Sequence, residues 1–430
     1  MLKFSALKAL RLAHRSSLRG MRVISGAIVL VALAAGVAAC GSSSKSEAAK
    51  TSAKSSSAKV AESASTSSSS ASSSSAAASP VSGEPESAVK EAEKEGEKAA
   101  EIAGPAPKVP SETIGVLDVT GESEAARRIE AGAAEAAKAI GWKMVSIDAE
   151  GNPTKEEAGM MTFVNEKVSA ILDLSNVTAA IAQGLSAARA QNIPVIVIGG
   201  LEEPSPGIEA QFVPNDIELT EHLDAYMIEH LKPGAQLATF VYPALLVLRN
   251  RDETLKRQLS PHVKIVVSHT ENFEALVSDT EDTARTIIST YPQIAAFWAD
   301  NDVDLPAIAH VLKSKGLCGK VQVYDYYDDL PNLAAIREGC ATAVANGAVS
   351  SDGWGAVDAL AEMFARKQPI TSLPQKGWET FEKKYGVEIQ NGSSIQVIDK
   401  SNLPPEGQYV PPKVDYVAFF ETKWKKEFGH

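Results

Sequence analysis

From residue 113 onward the chain alternates short apolar runs with longer amphipathic stretches. Thr113 to Val119, TIGVLDV, predicts a strand, and Glu124 to Ile140, closed by Gly141, predicts a helix. The pattern repeats in strand Lys143 to Ile147 with helix Thr154 to Glu166, and in strand Ser169 to Leu174 with helix Val177 to Gln191. Strand Pro194 to Ile198 then ends in Gly199-Gly200. Such strand-helix steps, with right-handed crossovers, predict a parallel doubly wound sheet. A less regular piece, Glu209 to Asp216, precedes a long helix over Ile217 to Leu231. After it the rhythm restarts, with strands at Gln236 to Val241, Val263 to Ser268, Ile294 to Trp298, Val321 to Tyr326 and Ala341 to Ala345. The fold expected is α/β, with two similar doubly wound parallel-sheet lobes.

The stretch Ile294 to Asp302, IAAFWADND, concentrates the pattern. Five apolar residues without alternation suit a strand buried on both faces. Asp300, Asn301 and Asp302 then fall at its carboxyl end, ahead of a helix over Leu305 to Lys315, where open α/β sheets bind ligands. Capping that helix is the other use to which Asp300 and Asp302 could be put.

Composition separates the first 110 residues from the rest. Residues 1–39 carry Lys3, Lys8, Arg11, Arg15, Arg19 and Arg22, no acid, and an apolar run from Val23 to Gly36, as an export signal does. Either Met1 or Met21 could start it. Val37-Ala38-Ala39-Cys40 looks like the lipobox of bacterial lipoproteins, with Cys40 the lipidated first residue of the mature chain. An uncleaved anchor fits less well, since the run is shorter than the ~20 residues a span needs. Gly41 to Pro80 is nearly all Ser, Ala and Lys and too poor in large apolar groups to order itself, so residues 40–110 are expected to be a tether. Within it 86–102, ESAVKEAEKEGEKAAEI, has a thin apolar stripe and is expected to be at best a solvated helix.

Loss of the six basic residues of 1–39 takes the net charge from −12 to about −18, which argues against nucleic-acid binding. Cys318 and Cys340 remain, and an exported chain can join them in a disulfide. Signatures of catalysis are missing. There is no G-x-S-x-G turn, H-E-x-x-H or Walker loop, and Gly353-Trp354-Gly355 lacks a third glycine. The seven His are scattered, and His222 and His230 on one helix suit a solvated face better than a ligand pair, so no metal and no cofactor are expected.

The order of elements and a series of phrases carry a resemblance. They are IGVLD at Ile114, the helix with Gly132, SIDAEGNP from Ser146, NIPVIVIG from Asn192, VPND from Val213 and RNRDETL from Arg249. AFWADND from Ala296, DDLPNLAAIREG from Asp328 and GWGAVDAL from Gly353 follow. From about Ser111 to Gln368 the chain resembles the type 1 periplasmic binding proteins, specifically ribose- and galactose-binding-like solute-binding lipoproteins of sugar ABC transporters. DYVAFFETKW, Asp415 to Trp424, also looks like the ending of one branch.

The resemblance implies two lobes joined by three crossovers, near Val213 to Asp216, near Ala345 to Gly347, and within Val387 to Ile398. The first lobe would be 111–214 with about 347–390, and the second 215–346 with about 391–430. It implies a ligand in the cleft, met by Arg251 as a donor and Asn301 as a paired donor and acceptor. Asp328, or otherwise Asp325, matches the family's acceptor aspartate, and Asn346 the crossover amide. Asp302 matches the second residue of the N-D pair. Trp298 and Trp354 offer a wall for a sugar ring or, alternatively, core packing. Where ribose- and galactose-type members place an aromatic and an Asp-Arg pair, this chain has Ala125-Ala126 and Gly199-Gly200. That points away from a familiar pentose or hexose pyranose and toward a modified sugar, a polyol or another small metabolite. Asp118, Glu122 and Ser123 are then the polar groups the first lobe can offer.

The function implied is that of a monomeric, lipid-anchored extracytoplasmic solute-binding protein, not an enzyme, serving an ABC permease. A ligand sensor presenting to a chemoreceptor or histidine kinase is the alternative, and an exported hydrolase on the same scaffold a third reading. The anchor is testable by itself. Cys40→Ser is expected to abolish both lipid attachment and cleavage before residue 40, read as loss of the lipid mass and retention of the precursor; a wild-type protein without lipid mass would refute it.

Overall fold

A computed structural model describes residues 86–370 and 395–429, apart from Ala348 and Lys413. Expectations for residues 1–85, including Cys40 and the tether to that point, lie outside the described residues, as does most of the third crossover.

Five parallel strands make the first sheet. They are β1 (Thr113–Asp118), β2 (Lys143–Asp148), β3 (Ala170–Leu174), β4 (Val195–Ile198) and β5 (Ile208–Phe212), in the order β2-β1-β3-β4-β5. The apolar runs fill the centre: β3 and β4 are buried throughout, whereas KMVSID of β2 lies at an edge and is largely exposed. Helices α2 (Glu124–Ala139), α3 (Pro153–Glu166) and α4 (Ala182–Ala190) make the crossovers. Strand β5 occupies the piece read as irregular. Its alternation, Ile208, Ala210 and Phe212 inward, is only three residues deep, and its pairing with β4 shifts register at Val195/Ile196.

The chain leaves this sheet after Phe212, and α5 (Asp216–His230) packs in the second lobe. There the order is β11-β10-β9-β8-β6-β7. The strands are β6 (Gln236–Val241), β7 (Lys264–Thr270), β8 (Ile294–Ala299), β9 (Gln322–Tyr326), β10 (Ala343–Asn346) and β11 (Gln396–Asp399). All pairs are parallel except β10 with β11. Helices α6 (Leu246–Leu259), α7 (Leu276–Thr290), α8 (Asp304–Ser314) and α9 (Leu330–Glu338) connect them. Cys318 and Cys340 precede the neighbouring strands β9 and β10 and are joined in a disulfide. No helix among the described residues is long and apolar enough to cross a membrane.

Two expectations need correction. The helix at 86–102 is not solvated: α1 (Glu86–Ala103) buries Ala92, Gly96, Ala99 and Ala100 against the last helix, α11 (Tyr416–Phe428). Its stripe looked thin because the buried residues are small, which lets two backbones approach closely. The carboxyl-terminal residues also do not all belong with the second lobe. Only β11 joins its sheet; α11 packs on α1 and on α10 (Ser351–Arg366), which lies against α2 of the first lobe. Phe420 and Trp424 stack on Trp354, with ring centroids 5.9 and 5.5 Å away. Beside them Lys423 is fully buried among Asp358, Glu362 and Glu427. Arg366 donates to the Gly104 carbonyl at 2.7 Å, and Ala106 N–H to that of Glu427 at 3.0 Å, sewing the end of α1 to the body.

Gly96 separates a packed from a solvated α1. On a free helix Gly→Ala stabilises by ~1 kcal/mol, but a Cβ here would overlap the Phe419 carbonyl and lie 3.2 Å from Thr422 Cβ. Gly96→Ala is therefore expected to lower stability by about 1–2 kcal/mol, seen as a melting point several degrees lower; a rise would return α1 to solvent.

Candidate functional site

The carboxyl ends of the two sheets face one another across a cavity whose empty volume of about 590 Å³ includes open solvent at its mouth. The first lobe contributes the turns after β1, β3 and β4, with Thr120, Ser123, Ser175 and Gly200 among the lining residues. The second contributes the start of α6 and the turns after β7, β8 and β9, including Arg251, Asn301, Asp302 and Tyr327.

Bonds across the cleft hold the lobes together. Ser123 caps α2 and also donates from Oγ to both Asp302 oxygens at 2.9 and 3.0 Å, while Ala125 N–H reaches Asp302 Oδ2 at 3.3 Å. Arg128, one turn further along α2, bridges Asp328 and Asp329 at 2.8 Å each, and its guanidinium lies 4.0 Å from the Tyr409 ring centroid. Asn152 donates to Glu274 at 2.9 Å and Val247 N–H to the Leu201 carbonyl at 3.0 Å.

Arg251 is the centre of the second wall. Its Nε donates to Asp216 Oδ1 at 3.0 Å, Nη1 to the Asp300 carbonyl at 2.7 Å, and Nη2 to Asp216 and to the Tyr327 hydroxyl. The guanidinium stacks 4.1 Å from the Tyr326 ring centroid. Burial works against its charge, but Asp216 and the two tyrosines hold its pKa above the usual arginine value. Burial also pushes the Asp216 carboxyl up, and Arg251 pulls it back down.

Asn301 sits in a nest of acids. Its Nδ2 donates to Glu271 at 3.1 Å and Asp304 at 2.7 Å, and its Oδ1 accepts from Val303 N–H at 3.1 Å. Oxygens of Glu271, Asp300 and Asp304 gather within 4.8 Å of one another, close enough to hold a cation. The Asn301 amide, a donor, already bonds to them. Burial raises all three, Asp300 to about 8 and Asp304 to about 6, and the neighbouring carboxylates push Glu271 well above its ordinary range. The Asn301 amide thus supplies donors where three buried carboxyls crowd together.

Of the residues expected at the site, Arg251, Asn301 and Ser123 line the cavity, as does Asp302. Asp328 and Asn346 are not among its lining residues: Asp328 is tied to Arg128 and accepts from Val410 N–H at 2.6 Å, and its own N–H donates to Asn346 at 3.1 Å. Asp325 is a buried cap, accepting from Leu305 N–H at 3.0 Å at the start of α8. Asp118 ends β1 buried, accepting from Thr120 N–H at 3.1 Å, and burial raises it to about 7. Glu122 is exposed, its carbonyl accepting from Arg127 at 3.1 Å. Neither tryptophan forms a wall. Trp298 is wholly buried edge-on to Tyr326, and Trp354 stacks on Trp424, so core packing describes both.

Sequence reasoning missed Arg128, Asp216, Ser175 and Tyr327. Arg128 looks like any helix-surface cation in EAARRIE. Asp216 closes the quoted VPND and Tyr327 lies in DYYDD, so polar residues at a crossover and a strand end were the available signal.

Comparison with known proteins fits this geometry. A model of the periplasmic binding protein domain matches residues 114–368. The chain belongs to the periplasmic binding protein family. Among curated periplasmic binding proteins, the ribose import binding protein of Bacillus subtilis (strain 168) is 22% identical over 211 residues, 49% of this chain and 68% of that protein. Solved structures share the fold. GanP, a glucose-galactose binding protein from Geobacillus stearothermophilus, aligns with TM-score 0.58 at 16% identity, over 69% of this chain and 99% of its own. A carbohydrate transporter solute binding protein from Agrobacterium radiobacter, in complex with D-arabinose, aligns with TM-score 0.55 at 15% identity, over 69% and 96%. The two-lobed parallel architecture expected from the sequence is thus that of the family, while α1 and α11 of this periplasmic binding protein lie outside the matched residues.

The Arg251 geometry makes a prediction different from that of a simple ligand contact. Arg251→Ala strands a buried Asp216 and an unpaired Tyr327, so the ligand-free protein is expected to lose about 3–5 kcal/mol. Denaturant melts of the apo protein check it; an unchanged midpoint would mean that the arginine is free to serve ligand alone.

Proposed function

We propose that the protein is an extracytoplasmic solute-binding lipoprotein that captures a sugar or similar small hydroxyl-bearing ligand by hinge closure and delivers it to an ABC importer. The observation that carries this reading is the cleft itself, lined from the carboxyl ends of two parallel sheets and crossed by bonds such as Ser123 to Asp302. Those bonds exist only when the lobes are together. A ligand touching both walls binds the closed form better and shifts the population toward it, and a permease can read the closed shape.

The relatives support the class. One is named for ribose import, and another was solved with D-arabinose. The lipobox at Cys40, the acidic mature chain and the Ser/Ala-rich tether support an anchor on the outer face of the cytoplasmic membrane, with the body acting as a monomer. Arg251, Asn301 and Ser123 would meet the ligand directly, and Asp302 would link it to the first lobe. Asp328 and Asn346 would act at one remove, by fixing Arg128. No catalytic role is assigned to any residue, and a family of solute-binding proteins supplies no precedent for one.

Purified protein is expected to release a stoichiometric small molecule on denaturation, detected by mass spectrometry, and to melt several degrees higher when that molecule is restored. Release of nothing, together with no thermal response to a metabolite library, would refute solute binding.

A further inference from the structure

We infer that the ligand of this cleft is a small molecule without negative charge, with an apolar body and only two or three hydroxyl groups, a deoxygenated ring rather than a fully hydroxylated sugar. The inference deepens the solute-binding reading and rests on it.

The polar groups facing the cavity are almost fully committed to one another. A guanidinium has five N–H donors. On Arg251 two go to Asp216, one to the Asp300 carbonyl and one to Tyr327, leaving a single Nη1 proton. Asn301 spends its amide protons on Glu271 and Asp304 and one lone pair on Val303, leaving one lone pair. Asp302 takes Ser123 and Ala125. Thr120 Oγ1 accepts from Glu122 N–H at 3.3 Å. With the hydroxyl proton of Thr120, the hydroxyl of Ser175 and the lone pair left on Asp302 Oδ1, the cleft offers a ligand about five side-chain polar partners. A hexopyranose presents about five hydroxyls and a pentopyranose about four, each able both to donate and to accept, and every one buried unpaired costs roughly tenfold in affinity.

The remaining lining is aliphatic or aromatic. Val119, Ala126 and Ile129 face the cavity from the first lobe, and Val247, Leu248 and Phe273 from the second. No side chain rises from the turn after β4, because a Cβ on Gly200 would come within 2.8 Å of Ser175 Oγ and 2.9 Å of Val247 Cγ1. The start of α6 occupies that space with apolar groups.

Both cleft cations are already matched, Arg251 by Asp216 and Arg128 by Asp328 and Asp329. An anionic ligand would find no spare cation among the lining residues and would face Asp302, a cost that a ligand without negative charge escapes.

A ring-matched series tests the class by titration calorimetry on the mature protein after ligand stripping. trans-1,2-Cyclohexanediol is expected to bind at least tenfold tighter than myo-inositol and D-galactose, with a negative heat-capacity change. Val247→Thr puts a hydroxyl in the wall at equal volume, and is expected to weaken diol binding several-fold, with the apo melting point reporting an intact fold. Tighter binding of myo-inositol or D-galactose than of the diol would overturn the inference and leave solute binding standing. Failure of every compound would also overturn it, and release of a small molecule on denaturation then decides whether the solute-binding reading survives.

Discussion

The buried pair of Arg251 and Asp216 is the constraint on which the second wall of the cleft depends. Asp216 begins α5 just where the chain crosses between lobes, and Arg251 lies on α6. The same guanidinium holds the Asp300 carbonyl after β8 and the Tyr327 hydroxyl after β9. One planar cation therefore fixes the ends of two strands, a helix and a crossover. An ammonium could not, because it lacks the planar fork that makes four bonds to three partners. Removing the charge from water is costly, and the arrangement recovers that cost only because nearly every donor is bonded.

The acids around Asn301 extend the same logic. Three carboxyls so close cannot all be ionised in a dry site. Burial raises each of them, and Asn301 donates to two while its carbonyl side orders the turn into α8. The residue presented as a ligand contact is first a structural bond, and what it offers ligand is what remains after the fold has been served.

How much of this was legible depends on what each residue advertises. Uniform apolar runs such as VIVI and IAAFW announce buried parallel strands, so the two sheets follow from pattern. Strand β5 did not, because three inward residues beside Pro206 and Gly207 give too short an alternation. Helix α1 was hidden for a different reason: Ala and Gly at Ala92, Gly96 and Ala99 bury little area, though they permit the closest approach. At the site, chemistry named the right types at Arg251 and Asn301, yet sequence cannot say how many of a side chain's bonds are already taken. Trp298 and Trp354 show the same blindness, since large rings suit a sugar wall and a core equally well. Arg128 carried no signal at all, because its partners are 200 and 201 residues away.

Those distant partners bear on how the closure proposed above would be balanced. If bonds between the lobes were too strong, an unloaded protein would close and the closed shape would carry no information about ligand. Asn152 with Glu274 and Arg249 with Glu203 are exposed pairs, each worth ~0–1 kcal/mol. Arg128 with Asp328 and Asp329 is buried, but burial also raises Asp329, and parting of the lobes under the proposed hinge motion would return all three groups to water. The pair thus orients the lobes more than it drives them together. Under the hinge closure proposed above, desolvation of the apolar walls around Val247, Leu248 and Ile129 would tip the equilibrium, completed by a ligand with a matching surface and not by bulk water.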